Sequence, residues 1–174
     1  MTLAYVALGA NLGDPREQVG RAMDALDALP QTRVTARSPL YLTPPWGVAD
    51  QPDFVNAVVA LETGLAPRAL LAALQQLEAR AGRVRDGRRN GPRPLDLDLL
   101  LHGRACLNDA DLQVPHPRLA ERAFVLLPLA DIAGDVDVPG RGRVRDLLER
   151  VDTSGCRRLQ AVSRAGAPTG NASA

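Results

Sequence analysis

The chain has 174 residues, 45% apolar and 24% charged, the balance of an ordinary soluble protein of one domain. Only 3% of residues are aromatic, which disfavours a base-stacking platform on single-stranded nucleic acid, and a net charge of +1 gives no global steering of polyanions. All 21 basic residues are arginine, so neither a Schiff-base lysine nor a lysine-bearing phosphate loop can operate here.

Leu3 to Leu8 is a short apolar run that reads as a strand, and Gly9 to Gly13 as a tight turn after it. Asp14 and Pro15 supply an N-cap and a first helical residue. Val19, Ala22, Met23, Leu26 and Leu29 follow at helical spacing until Pro30. Arg33 to Leu42 predicts a strand with Val34, Ala36 and Leu40 on one side. Two prolines, Pro44 and Pro45, exclude regular structure next to it. Phe54 to Thr63 predicts a long strand. Pro67 opens a helix whose Leu70, Leu74, Leu77 and Ala81 face a core and which Gly82 closes.

A basic, glycine-containing loop covers 83–93, and Pro94 to Leu101 predicts a strand. Val114 to Pro117 is a stiff extended connector. Leu119 to Ile132 is apolar at helical spacing but is expected to break at Pro128, and a short helix is expected over Val144 to Val151. The result is one α+β domain over residues 1–162, a mainly antiparallel sheet with helices on its faces, and a flexible tail over 163–174.

Cys106 and Cys156 are far apart and form no metal spacing with His102 and His116, so they read as free thiols of a reducing compartment. The N-terminus has no basic region ahead of its apolar run, and no stretch reaches the ~20 apolar residues of a membrane span. A cytoplasmic protein without a membrane partner is expected.

The chemistry concentrates at Asp96 and Asp98. Alternation along a strand puts both carboxylates on one face, ~6.5–7 Å apart, and Leu95, Leu97 and Leu99 on the other. By itself such a pair reads as two solvated acids on an edge strand. Just before it, however, Arg80, Arg83, Arg85, Arg88, Arg89 and Arg93 place six arginines within fourteen residues. Guanidinium groups bind phosphate bidentately, and Mg²⁺ takes one or two carboxylates plus substrate phosphates. Side by side they point to a nucleoside triphosphate with its metal. A nucleic-acid patch would not need the acidic pair.

Beyond these residues, the blocks SPLYLTPPWG, QPDFVNAVVALET, LEARAGRVR, GPRPLDLDLLL and VPHPRLAERAFVLLPL occur in this order, within a resemblance that runs from about Leu3 to Val151. They closely resemble the 6-hydroxymethyl-7,8-dihydropterin pyrophosphokinase family of bacterial folate biosynthesis. The resemblance implies a ferredoxin-like α+β fold, a monomer, ATP as co-substrate and two Mg²⁺ ions. It implies transfer of the pyrophosphoryl group of ATP to the pterin hydroxymethyl group, releasing AMP. Asp96 and Asp98 would hold the metals. Leu71, Gln75, Glu78, Arg83, Arg85, Arg93, Leu99, His116 and Arg122 would contact ATP, with Arg83 and Arg93 sharing in catalysis. Thr43, Pro44, Pro45, Trp46, Gly47, Phe54, Asn56 and Phe124 would hold the pterin, the two phenylalanines by stacking. Many relatives carry tryptophan where Asn90 stands, and Phe54 is often tyrosine there. Another Mg²⁺-dependent transferase on the same fold, or a non-catalytic nucleotide- or RNA-binding module, are the alternatives.

Overall fold

The elements run β1 (Thr2–Ala10), α1 (Pro15–Asp27), β2 (Thr32–Arg37), β3 (Tyr41–Thr43), β4 (Phe54–Thr63), α2 (Pro67–Arg80) and β5 (Asp96–His102). A hairpin of β6 (Leu107–Asn108) and β7 (Gln113–Val114) follows, then a 3-10 turn (Leu119–Glu121) and α3 (Ala123–Ala133). A second hairpin of β8 (Asp137–Val138) and β9 (Gly142–Arg143), α4 (Val144–Leu148) and β10 (Arg157–Arg158) complete the order. These come from a computed structural model that describes residues 1–45, 50–82 and 94–160. The predicted tail, 163–174, lies outside the described residues.

The central sheet has the order β10-β3-β4-β1-β5, with β2 also pairing β4, and its pairings are antiparallel. It is the expected α+β, ferredoxin-like arrangement. Strand alternation gives each face its own core. Ala4, Val6, Leu8 and Ala10 of β1 point to α1 and α2, together with Val55, Val59, Leu97 and Leu99. Tyr5 and Ala7 point the other way, with Val58 and Ala60, to α3 and α4.

α1 begins where expected. The Asp14 side chain accepts from the Glu17 backbone N–H at 3.2 Å, Pro15 follows, and Val19, Ala22, Met23 and Leu26 are buried. α2 buries Leu70, Leu74 and Leu77, and Gly82 ends it with φ +86°.

Three expectations are corrected. Arg33 to Leu42 is two strands, because the chain leaves the ladder between Arg37 and Tyr41. Val34 and Ala36 do not share a face: the register against β4 slips between them, so Val34 joins one core and Ala36 the other. Pro128 does not break the helix and lies inside α3. It removes one bond, the one its N–H would make to the Phe124 carbonyl, at a typical cost of about 3 kcal/mol. Burying Val125, Leu126 and Leu129 in the second core contributes about 1.5–3 kcal/mol each and outweighs it.

A second bulge bears on the site. Tyr5 pairs with Leu101 but Val6 pairs with Leu99, so Leu100 is the extra residue. Leu97 and Leu99 face the first core, while Leu100 and Leu101 both reach the second. The acidic pair therefore sits on the α3 face, just before the point where that face becomes fully apolar.

Candidate active site

The α3 face of the sheet opens at one end into a cleft of about 680 Å³. Its floor comes from three adjacent strands in register. Asp96 pairs with Gly9, Gly9 with Asn56, and Asp98 with Ala7. Phe54, Asn56, Asp96 and Asp98 thus share one face, as alternation predicted, and all four line the cleft.

Gly9 is not a turn residue, as the sequence suggested, but lies inside β1; the turn glycine is Gly13, with φ +63°. A Cβ at Gly9 would lie 2.7 Å from the Asn56 Oδ1. A side chain there would push the amide aside, which is the positional meaning of glycine in this strand. Asn56 is buried and its Nδ2 donates to the Thr43 Oγ1 at 2.6 Å, joining β4 to β3. Pro44 follows and lines the cleft beside Thr43. At the end of β1, buried Asn11 donates from Nδ2 to the Gln51 Oε1 at 2.9 Å and the Pro52 carbonyl at 3.1 Å, tethering the approach to β4.

On the β5 side, Leu71, Gln75 and Glu78 of α2 line the cleft. Glu78 is buried, and its Oε2 accepts from the Leu97 backbone N–H at 3.1 Å. Among the described residues β5 is an edge strand, so that carboxylate satisfies a donor that no described strand pairs.

The roof carries the cations. Arg122, at the N-terminus of α3, is only 16% exposed and approaches the Asp98 Oδ2 at 3.9 Å. Burial lowers its pKa and the Asp98 charge opposes that. Its guanidinium carbon lies 5.5 Å from the centre of the Phe124 ring, a cation–π distance. His116 accepts at Nδ1 from the Arg118 backbone N–H at 3.2 Å, which assigns the proton of the neutral ring to Nε2. Burial first, then the Arg122 charge, pushes its pKa down to about 4. At pH 7 it presents a neutral donor.

This depression has a measurable consequence. A histidine in an unfolded chain titrates near 6.5. As the pH falls from about 6.5, the unfolded chain takes up a proton that folded His116 resists. Its contribution to stability is full above about 6.5 and is lost as the pH falls toward about 4. An NMR titration of the free protein should place the His116 midpoint near 4, and a midpoint at or above the unfolded value would contradict the burial argument.

The cleft therefore gathers Leu71, Gln75, Glu78, Asp96, Asp98, His116 and Arg122, along with Thr43, Pro44, Phe54, Asn56 and Phe124. Alternation turns the Leu99 side chain away from Asp98, and it lies 4% exposed in the first core, outside the cleft lining. Pro45 is likewise not among the lining residues. Trp46, Gly47, Arg83, Arg85 and Arg93 lie outside the described residues. Ala7, Gly9 and Arg118 also line the cleft, without a local sequence signal for the two that are not glycine. Glycine in an apolar strand was the one available signal; the pairing that puts it between Asn56 and Asp96 cannot be read locally.

The donor set suits a hard divalent cation. Two carboxylates share a face and an open cleft, and among the described residues no third acid, histidine or cysteine joins them to form a closed metal site. Such a pair leaves most of a coordination shell to phosphates and water, as Mg²⁺ prefers.

Residues 5–134 match the model of the 7,8-dihydro-6-hydroxymethylpterin-pyrophosphokinase (HPPK) family. The chain is 54% identical over 155 residues to a 2-amino-4-hydroxy-6-hydroxymethyldihydropteridine pyrophosphokinase of Pseudomonas aeruginosa, covering 89% of this chain and 95% of the relative. A protein of the same name from Methylorubrum extorquens is 47% identical over 160 residues, covering 92% of this chain and all of the relative. Among solved structures, a Plasmodium falciparum HPPK-DHPS with pterin and p-hydroxybenzoate superposes with a TM-score of 0.70 at 12% identity, over 90% of this chain and 45% of that one. That likeness concerns the fold, and this chain spans less than half of the larger protein.

Proposed function

This chain belongs to the 7,8-dihydro-6-hydroxymethylpterin-pyrophosphokinase family, and from that premise we propose which of its residues carry out each part of the reaction. The enzyme transfers the pyrophosphoryl group of ATP to the hydroxymethyl group of 6-hydroxymethyl-7,8-dihydropterin, a step of folate biosynthesis. The pterin hydroxymethyl oxygen bonds to the β-phosphorus, the bond from that phosphorus to the α-phosphate oxygen breaks, AMP leaves, and the hydroxyl proton is lost.

One observation carries the assignment of parts. The acidic pair lies on the floor of a single cleft, between a wall of Phe54, Asn56 and Thr43 and a roof of His116 and Arg122. Asp96 and Asp98 would hold two Mg²⁺ ions, which would supply positive charge to the phosphate oxygens and lower the pKa of the attacking alcohol. Arg122 neutralises phosphate charge from a site where little water screens it. His116 donates from Nε2 without adding charge. Gln75 and Leu71 line the nucleotide side. Glu78 joins them on the nucleotide side, and by accepting from the Leu97 N–H it also holds the strand that carries the two aspartates. Phe54 and Phe124 stack on the pterin, and Asn56 bonds its edge. Orientation and charge, not covalent chemistry, do the catalytic work.

Large apolar side chains exposed among the described residues are Met1, Leu3 and Leu12, scattered and small in area, which fits a monomer. The two free thiols, Cys106 and Cys156, fit the cytoplasm.

Incubation with ATP and Mg²⁺, with and without the pterin, tests the reaction. AMP should appear only with the pterin present; ADP as the product would contradict it. Gly9→Ala tests the pterin wall. The added methyl meets the far end of the Asn56 side chain, so the fold yields easily but the amide must turn away from Thr43. The pterin KM should rise about fivefold or more and the ATP KM stay within about twofold. Equal losses for both substrates would contradict the placement of Asn56.

A further inference from the structure

The segment after α4 lies beyond residues 5–134, the stretch that matches the family. It nevertheless returns to the cleft. Arg157 pairs with Leu42 and Arg158 with Tyr41, so β10 gives the three-residue strand β3 a second neighbour besides β4. The Leu159 N–H donates to the Leu40 carbonyl at 2.8 Å, and the Leu159 side chain packs against the first core. On the other face Arg158 approaches Asp131 of α3 at 3.6 Å, and the same carboxylate accepts from the Tyr41 hydroxyl. Burial, then the Asp131 hydrogen bond, pushes the Tyr41 phenol up to about 12, so it keeps its proton and the bond. The strap is thus fastened to the sheet, to one core and to α3.

Its contact with the cleft is at Gly155. A Cβ there would lie 3.1 Å from the Pro44 Cγ and 3.4 Å from the Cδ. Gly155 does not have a left-handed φ, so space alone opposes a side chain. Pro44 lines the cleft directly after Thr43, the partner of Asn56. Moving Pro44 would move that wall, while Asp96, Asp98 and Arg122 stand on other elements.

We infer that the 155–159 strap sets the position of the Thr43–Pro44 wall and thereby the affinity for the pterin, with Gly155 as its positioning residue. The inference rests on the placement of the pterin against this wall. It makes a segment outside the family's matched region a determinant of one substrate and not of the other.

Steady-state kinetics of Gly155→Val and Gly155→Ala, alongside Asn56→Ala, test it. Gly155→Val should raise the pterin KM about tenfold, Gly155→Ala by less, with kcat and the ATP KM within about twofold. Thermal midpoints should stay within about 3 °C of the unsubstituted protein. If Asn56→Ala raises the pterin KM and neither Gly155 variant does, the strap has no such role. If none of the three moves it, the pterin lies elsewhere and the inference falls with that placement. Parallel rises in both KM values with a lowered midpoint would mean a general structural role and overturn it as well.

Discussion

Asp96→Ala and Asp98→Ala are each expected to lower AMP formation by about 10²–10³-fold or more at saturating substrates, while the protein stays folded. The two carboxylates share a face and repel each other, so removing one relieves that repulsion when no cation is bound. The variants should differ in stability. Asp98 approaches Arg122, which is largely buried, and its loss leaves that guanidinium with less compensation. Asp98→Ala should therefore cost about 1 kcal/mol relative to Asp96→Ala. Thermal midpoints without ligand and AMP yields with ligand check both halves. Activity within a few-fold of the original in either variant would remove that carboxylate from the metal site.

Phe124→Ala is expected to weaken pterin binding by about 1–3 kcal/mol, the scale of base stacking on an aromatic ring. A phenylalanine that served only the core would instead cost about 3–5 kcal/mol of stability. Phe124 is half-buried and lines the cleft while packing against the second core, so its stability cost should fall below that range. Phe54→Ala should reproduce the pterin loss. The two will differ toward ATP: Arg122 lies over the Phe124 ring, so only the Phe124 variant should disturb nucleotide binding, and modestly. Calorimetric titration with each ligand and a denaturation curve separate these effects. Equal losses for pterin and ATP together with a stability loss in the full core range would rule out stacking.

The parts of this fold legible in sequence were those in which local preference and burial agree. β4 spans the predicted Phe54–Thr63, α1 starts on Asp14 and Pro15, and the alternation in Asp96 to Leu99 placed both acids on one face. Strand parity likewise put Phe54 and Asn56 together. What escaped depends on pairing partners far along the chain. The slip at Thr35 and the extra residue at Leu100 arise from register against β4 and β1, and each switches a face without any local mark. Pro128 misled because a helix-breaking propensity was weighed without the core that α3 fills. The hairpins and β10 are two-residue strands, too short to leave a periodicity. Leu99 is read correctly by parity alone: alternation turns its side chain into the first core.

The most direct measurement is a crystal structure of the ternary complex with the pterin, a nonhydrolysable ATP analogue and Mn²⁺ in place of Mg²⁺. Anomalous scattering locates the metal independently of the substrates. The account predicts two metal peaks between the phosphates and the carboxylates of Asp96 and Asp98, with the pterin ring between Phe54 and Phe124 and its edge on Asn56. Metal peaks away from the two aspartates, or a pterin bound outside the two phenylalanine rings, would contradict it.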